Sequence, residues 1–344
     1  MRSTCCQVSH STRCESSPPF AGHFSSSINA SSGSNHQENF ALDKEQSTTH
    51  PPLVDQPPAA LLKRLFQSGG KVPLSFEFFP PQTASRRDHL YEVTDRLAPV
   101  AAEGFSVTMG AGGATRTGTH ETAVAITERC ARPVTAHLTT LGMSKTEALS
   151  CADGLWSSGV DRILALRGDQ PKDMTETPSG FEHACDLVKA LSRQHPFEIA
   201  VAAYPEKHPD AADLDTDIDH LKEKIDAGAS RAYCQFVLDP AAYGRFLEKC
   251  DRHGIHAPIV PGLMPLDDWK RMRSFAVANG TSVPAWLDQL FTIGETTPEI
   301  MPNLALAAMV EQARRLIAYG APALHVYTMN RWPLSLTLAR LLGH

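Results

Sequence analysis

Eight short apolar runs, each about a strand long, alternate with segments of helical spacing from residue 58 onward. They are LSFEFF (74–79), FSVTM (105–109), PVTAHLT (133–139), RILALR (162–167), EIAVAA (198–203), AYCQFV (232–237), APIVPGL (257–263) and ALHVYT (323–328). Between the first two, RRDHLYEVTDRLAPVAAEG sets Leu90, Val93, Leu97 and Val100 on one face. DIDHLKEKIDAG does the same with Ile218, Leu221 and Ile225, and Gly228 is its stop. Strands that alternate singly with helices pair in parallel through right-handed crossovers. Two α/β architectures satisfy this order, a closed (β/α)8 TIM barrel and an open doubly wound sheet. The open sheet wants a G-x-G-x-x-G loop after its first strand. The nearest match, GAGGAT at 110–115, follows the second run and carries Thr115 where the last glycine belongs. Eight units within about 250 residues are the barrel's usual size, and the barrel is the expected fold.

Residues 1–57 differ from the rest. They are rich in Ser, Asn, His and Pro, and their apolar residues are isolated. Such a segment cannot bury enough apolar surface to offset its ordering entropy, so a disordered N-terminal extension is expected, followed by one catalytic domain over 58–344. Glu15, Glu38, Asp43 and Glu45 argue against a transit peptide, and no continuous apolar core marks a secretory signal. The eight cysteines include no C-x-x-C pair, which points to reduced thiols and a cytoplasmic setting. A net charge of −6 with interspersed signs leaves no footprint for nucleic acid, and no run is long enough to span a membrane. No spacing matches a metal site.

In such a barrel, chemistry belongs at the carboxyl ends of the strands. The first run carries Glu77 and ends on Pro80 and Pro81. Thr108 closes the second, His137 sits in the third, and Arg167, Gly168 and Asp169 end the fourth. Tyr204 and His208 follow the fifth, Gln235 lies in the sixth, and Tyr327 leads to Asn330 and Arg331. Taken singly each has an ordinary explanation. His137 could be a core histidine, Gln235 a barrel-interior amide, and RGD a strand-to-helix turn. Their coincidence at strand ends is what points to a site. Flanked by Leu74, Phe76, Phe78 and Phe79, the Glu77 carboxyl is expected to have a raised pKa and to hold its proton near neutrality.

The stretches SFEFFPP, VTMGAGGATR, HLT, ILALRGD, YPEKHPD, LKEKIDAGA, CQFVLD, PIVPGLMP and HVYTMNR, in this order, resemble the catalytic domain of the methylenetetrahydrofolate reductase family. The resemblance implies a (β/α)8 barrel that binds FAD. It implies interconversion of 5,10-methylenetetrahydrofolate and 5-methyltetrahydrofolate with NADH or NADPH as co-substrate. By the same resemblance Glu77 is the general acid, and Asp169 the carboxylate beside flavin and pterin. Gln235 reads the pterin edge, Phe275 is the aromatic over the substrate or nicotinamide, and Arg331 lies near the folate tail, where its fork suits a carboxylate. Thr108, His137, Leu166, Arg167, Gly168, Tyr204, His208, Asp217 and Lys224 line the FAD. Small-molecule partners and a homo-oligomer are expected, and no S-adenosylmethionine module. Met109, His220 and Glu223 depart from the family pattern on the flavin side. Two other classes stay open at this point, a proline-dehydrogenase-like flavin barrel and a folate or methyl-transfer barrel without flavin.

Overall fold

The structure is a computed structural model that describes residues 71–110, 116–168 and 180–344. The N-terminal extension, residues 111–115 of the glycine loop, and Asp169 lie outside the described residues.

Eight parallel strands close into a barrel in sequence order. They are β1 (Leu74–Phe78), β2 (Gly104–Val107), β3 (Val134–Thr139), β4 (Arg162–Leu166), β5 (Glu198–Ala203), β6 (Arg231–Phe236), β7 (Ile259–Leu263) and β8 (Leu324–Tyr327). The connecting helices are α1 (Ala84–Leu97), α2 (Arg116–Cys130), α3 (Lys145–Ser157), α4 (Ala184–Gln194), α5 (Leu214–Asp226) and α6 (Pro240–Arg252). Three helices, α7 (Trp269–Ala278), α8 (Ala285–Thr296) and α9 (Met301–Ala318), separate β7 from β8, and α10 (Pro333–Leu341) follows. The expected barrel is therefore the observed one, and every strand falls within or beside its apolar run. None of the described helices is long and apolar enough to cross a membrane.

Local chemistry sets the helix starts. Thr83, Asp213 and Asp239 cap α1, α5 and α6 by accepting backbone N–H bonds, and Ser144 with Glu147 forms a reciprocal capping box on α3. The strands obey a period of two. In β1, Leu74, Phe76 and Phe78 turn outward and join Leu90, Val93 and Leu97 of α1 in the core between barrel and helices. Full burial of each phenylalanine contributes about 1.5–3 kcal/mol. Ser75 and Glu77 consequently turn into the barrel. Inside it, Leu164, Ala200, Tyr233, Val260 and Ala323 form a smaller apolar cluster. The amino-terminal floor is ionic: Arg231 reaches Glu103 at 2.6 Å and Glu198 at 3.1 Å, and Arg162 reaches Glu198 at 3.0 Å.

Gly104 opens β2 at φ +101°, and a Cβ there would stand 2.2 Å from the Pro133 carbonyl oxygen. That same oxygen accepts the Phe105 N–H at 2.9 Å, so it cannot retreat without breaking the ladder. Gly104→Ala is expected to cost about 2 kcal/mol or more, read as a lower urea midpoint. An unchanged midpoint would contradict the close approach of β2 to the start of β3.

Candidate active site at the barrel mouth

The carboxyl ends of the strands surround a cavity of about 730 Å³. Of the residues singled out in the sequence, Glu77, Thr108, His137, Leu166, Arg167, Gly168, Tyr204, His208, Asp217, Lys224 and Gln235 all line it. Its size is that of a small-molecule site.

Glu77 is buried at the centre of a hydrogen-bonded cluster. Its Oε2 lies 3.1 Å from His325 Nε2, 3.3 Å from His137 Nε2 and 3.4 Å from the Ser106 hydroxyl. Ser106 Oγ is also 3.2 Å from His137 Nε2, and Ser75 Oγ is 2.7 Å from His325 Nδ1. Thr328 Oγ1 donates to the Glu77 carbonyl at 2.6 Å. The His325 ring packs against Tyr233 at 4.7 Å and Tyr327 at 5.1 Å, and the Tyr327 hydroxyl donates to Cys234 O at 3.0 Å.

The expected raised pKa is corrected by this geometry. Burial pushes the Glu77 carboxyl up, but hydrogen bonds from His137 and His325, with the charge on those rings, hold it down at about 2. The physical reason is the strand period. Phe76 and Phe78 flank Glu77 in sequence but face the helices, whereas the carboxyl faces two imidazoles and a serine hydroxyl. A hydrogen bond to the ionised form outweighs desolvation here.

At the other side of the cavity basic and acidic groups are interleaved. Lys224 Nζ donates to Ala202 O at 2.8 Å, Asp217 accepts the His208 N–H at 2.9 Å, and Tyr204 packs edge-on against His208 at 4.7 Å. Arg167 lies 3.5 Å from Asp210. His220 and Glu223 also line the cavity, with Glu223 partly open to solvent that screens its charge. Thr139 Oγ1, on the cavity wall, is buried without a hydrogen-bond partner among the described residues. Gly168 stands at φ +89°, and a Cβ there would come 3.2 Å from Thr139 Cβ, so the end of β4 packs closely on the end of β3. Among the described residues, no cluster of three or more His, Cys, Asp or Glu is arranged to hold a metal ion.

Two candidates stand apart from the cavity lining. Phe275 is 44% exposed and stacks on Phe236 at 5.4 Å. Arg331 spends its guanidinium fork on Asp267, with Nη2 to Oδ1 at 3.0 Å. Conversely, Ser75, Ser106, Tyr233 and His325 belong to the site although position at a strand end does not single them out. The available signal was spacing: Ser75 precedes Glu77 by two residues and His325 precedes Tyr327 by two, so each pair shares a face.

The family model described as methylenetetrahydrofolate reductase matches residues 62–343. A 5,10-methylenetetrahydrofolate reductase of Pectobacterium carotovorum subsp. carotovorum is 36% identical over 284 residues, covering 83% of this chain and 94% of that protein. The enzyme of that name from Escherichia coli (strain K12) is 34% identical over 284 residues, covering 83% and 95%. Among solved structures, an uncharacterized protein from Clostridium thermocellum that binds two copies of 5-methyl-5,6,7,8-tetrahydrofolic acid is similar at a TM-score of 0.52. It is 14% identical and covers 81% of this chain and 97% of that one, a likeness of fold alone.

Burial pulls Lys224 down to about 8 against the opposing pull of Asp217 and Cys185. The unfolded lysine holds its proton to about pH 10.5, so the penalty is fully present below about 8 and fades as pH rises to 10.5. Lys224→Met should raise stability at pH 7 by about 1–2 kcal/mol, after subtracting the lost bond to Ala202. Urea midpoints measured against pH should show this gain shrinking above about pH 8. A less stable variant at neutral pH would contradict this electrostatic balance.

Proposed function

The chain belongs to the methylenetetrahydrofolate reductase family, and from that premise we propose that it works as a flavoprotein. In this reading it interconverts 5,10-methylenetetrahydrofolate and 5-methyltetrahydrofolate with NADH or NADPH, using FAD held in the barrel-mouth cavity. The observation that supports it most is the convergence of Glu77, Gln235, Arg167 and Lys224 on that one cavity.

The residues present fit an FAD. The unpartnered Thr139 hydroxyl on the cavity wall offers a ring heteroatom a hydrogen bond. Arg167, Lys224, His208 and His220 provide the positive and hydrogen-bonding groups that a pyrophosphate takes. Bound FAD supplies hydride chemistry between the nicotinamide and the folate one-carbon unit.

The chain's own work is positioning and proton transfer. Opening the five-membered ring of methylenetetrahydrofolate breaks a carbon–nitrogen bond, and the departing nitrogen needs a proton. In this reading Glu77 gives it, from a buried position where its carboxyl faces His137, His325 and Ser106. The Gln235 amide carries both donors and an acceptor, which suits the mixed edge of a pterin. Its Oε1 accepts the Phe236 N–H at 3.3 Å, and that bond fixes the amide's orientation.

Glu77→Gln keeps the side chain's volume and removes its acid. On the FAD-loaded chain under anaerobic conditions, reduction of the flavin by NADH or NADPH should bleach the visible band as in the parent. Recolouring by methylenetetrahydrofolate should slow by about 100-fold or more. Recolouring at the parent rate would remove Glu77 from the mechanism, and a chain that takes up no FAD would remove the reading as a whole.

A further inference from the structure

A carboxyl held ionised at rest cannot by itself be the source of the proton it is meant to deliver. The cluster around Glu77 contains the missing store. Its rings and hydroxyls come from four strands: Ser75 and Glu77 from β1, Ser106 from β2, His137 from β3 and His325 from β8. Besides Glu77, the titratable groups packed on His325 among the described residues are Tyr233 of β6 and Tyr327 of its own strand, while His137 meets the other side of the cluster through Glu77. Burial raises both phenols, so they stay neutral across the working range.

The identity of the two hydroxyls is informative. A buried imidazole that gains or loses a proton changes one ring nitrogen between donor and acceptor. When the proton leaves from Nε2, Nδ1 keeps its hydrogen, so an acceptor at Nδ1 serves both states and fixes Nε2 as the nitrogen that releases. A serine hydroxyl donates or accepts by rotating. Ser75, 2.7 Å from His325 Nδ1, therefore satisfies His325 with or without the extra proton. Ser106 has the same freedom between Glu77 and His137. The Nε2 of His325 is aimed at Glu77 Oε2 at 3.1 Å, and ring contacts with Tyr233 and Tyr327 hold the imidazole in place.

We propose that His325, tuned by Ser75, is a positioning residue that stores the catalytic proton at Nε2 and passes it to Glu77 Oε2 for delivery to the substrate nitrogen. The inference rests on Glu77 acting as the acid, as proposed above. The balance closes. His325 begins with two N–H groups and Glu77 as carboxylate. The proton moves from Nε2 to the carboxyl and on to the nitrogen as its bond to the one-carbon unit breaks, with the bond's electron pair staying on that nitrogen. His325 ends neutral, Glu77 ends ionised, and the positive charge lies on the opened one-carbon unit until the hydride arrives. Reprotonation of His325 resets the pair. His137, with Ser106, flanks the carboxyl on the opposite side and shares in holding it ionised.

The test uses the full FAD-loaded chain and three variants: Glu77→Gln, His325→Gln and Ser75→Ala. Reoxidation of the prereduced enzyme by methylenetetrahydrofolate is followed in single turnovers as a function of pH. His325→Gln retains an N–H donor toward Glu77 but cannot release a proton. Its rate at neutral pH should fall by about 30-fold or more, with the parent's alkaline decline abolished and half-saturation by folate shifted by less than about two-fold. Ser75→Ala keeps the imidazole and should show a smaller loss, about three- to ten-fold, with the alkaline decline displaced. A second readout needs neither flavin nor turnover. The infrared carboxyl band lost in Glu77→Gln reports Glu77 protonation, and in His325→Gln it should appear at higher pH than in the parent. A parental pH profile and a parental carboxyl titration in His325→Gln overturn the store. If His325→Gln does not fold, Ser75→Ala decides, and an undisplaced decline in that variant overturns it. Parental recolouring in Glu77→Gln instead defeats the earlier assignment of the acid, which keeps the two failures apart.

Discussion

The pairing of one carboxylate with two imidazoles, enclosed by a ring of strands, is the interaction on which the rest of this molecule depends. Glu77 is buried with His137 and His325 on one oxygen. Burial alone would drive it neutral, and an unpaired charge in that position would cost several kcal/mol. The barrel makes the charge tolerable by bringing β1, β3 and β8 together, which no local segment could do. Closure between β1 and β8 matters most. Their register sets Ser75 opposite His325 and Glu77 opposite Tyr327, so β1 and β8 together build one side of the proton site.

That arrangement divides the barrel's interior by function. The ionic floor of Arg162, Arg231, Glu103 and Glu198 closes the amino end. An apolar layer around Leu164 and Tyr233 separates it from the mouth. Above that layer, the Glu77 cluster sits on the β1–β3 and β8 side, and Arg167, His208, His220 and Lys224 sit around β4 to α5. The burial penalty at Lys224 reflects this division: the lysine is less comfortable in the folded chain than in water, and it faces the cavity.

Much of this is legible in the sequence. Eight strand-length runs and the helical faces between them, such as Leu90, Val93 and Leu97, are enough to give the barrel and the location of its mouth. Glu77, Thr108, His137, Arg167, Gly168, Tyr204, His208 and Gln235 line the cavity because strand-end position, which the sequence reveals, determines which face of the barrel they share, whereas Leu166, Asp217 and Lys224 are expected from the family resemblance, the last two on α5. Partnership is what stays hidden. His325 is 248 residues from Glu77, and no local pattern announces that the two meet. The charge of Glu77 is misjudged from the sequence for the same reason. Its apolar neighbours in the chain are not its neighbours in space, since adjacent residues of a strand face opposite sides. Arg331 is the converse case, a fork free in the sequence that Asp267 occupies in the fold. Asp169 lies outside the described residues, and its role rests on the family resemblance.

The most direct test of the central claim is to see the proton itself. Neutron diffraction from perdeuterated crystals of the chain at neutral pH would locate deuterium within the Ser75–His325–Glu77 line. A proton stored on the imidazole means deuterium on His325 Nε2, pointing at Glu77 Oε2, with both carboxyl oxygens bare. Deuterium fixed on the Glu77 carboxyl, with His325 Nε2 stripped and accepting, would contradict it.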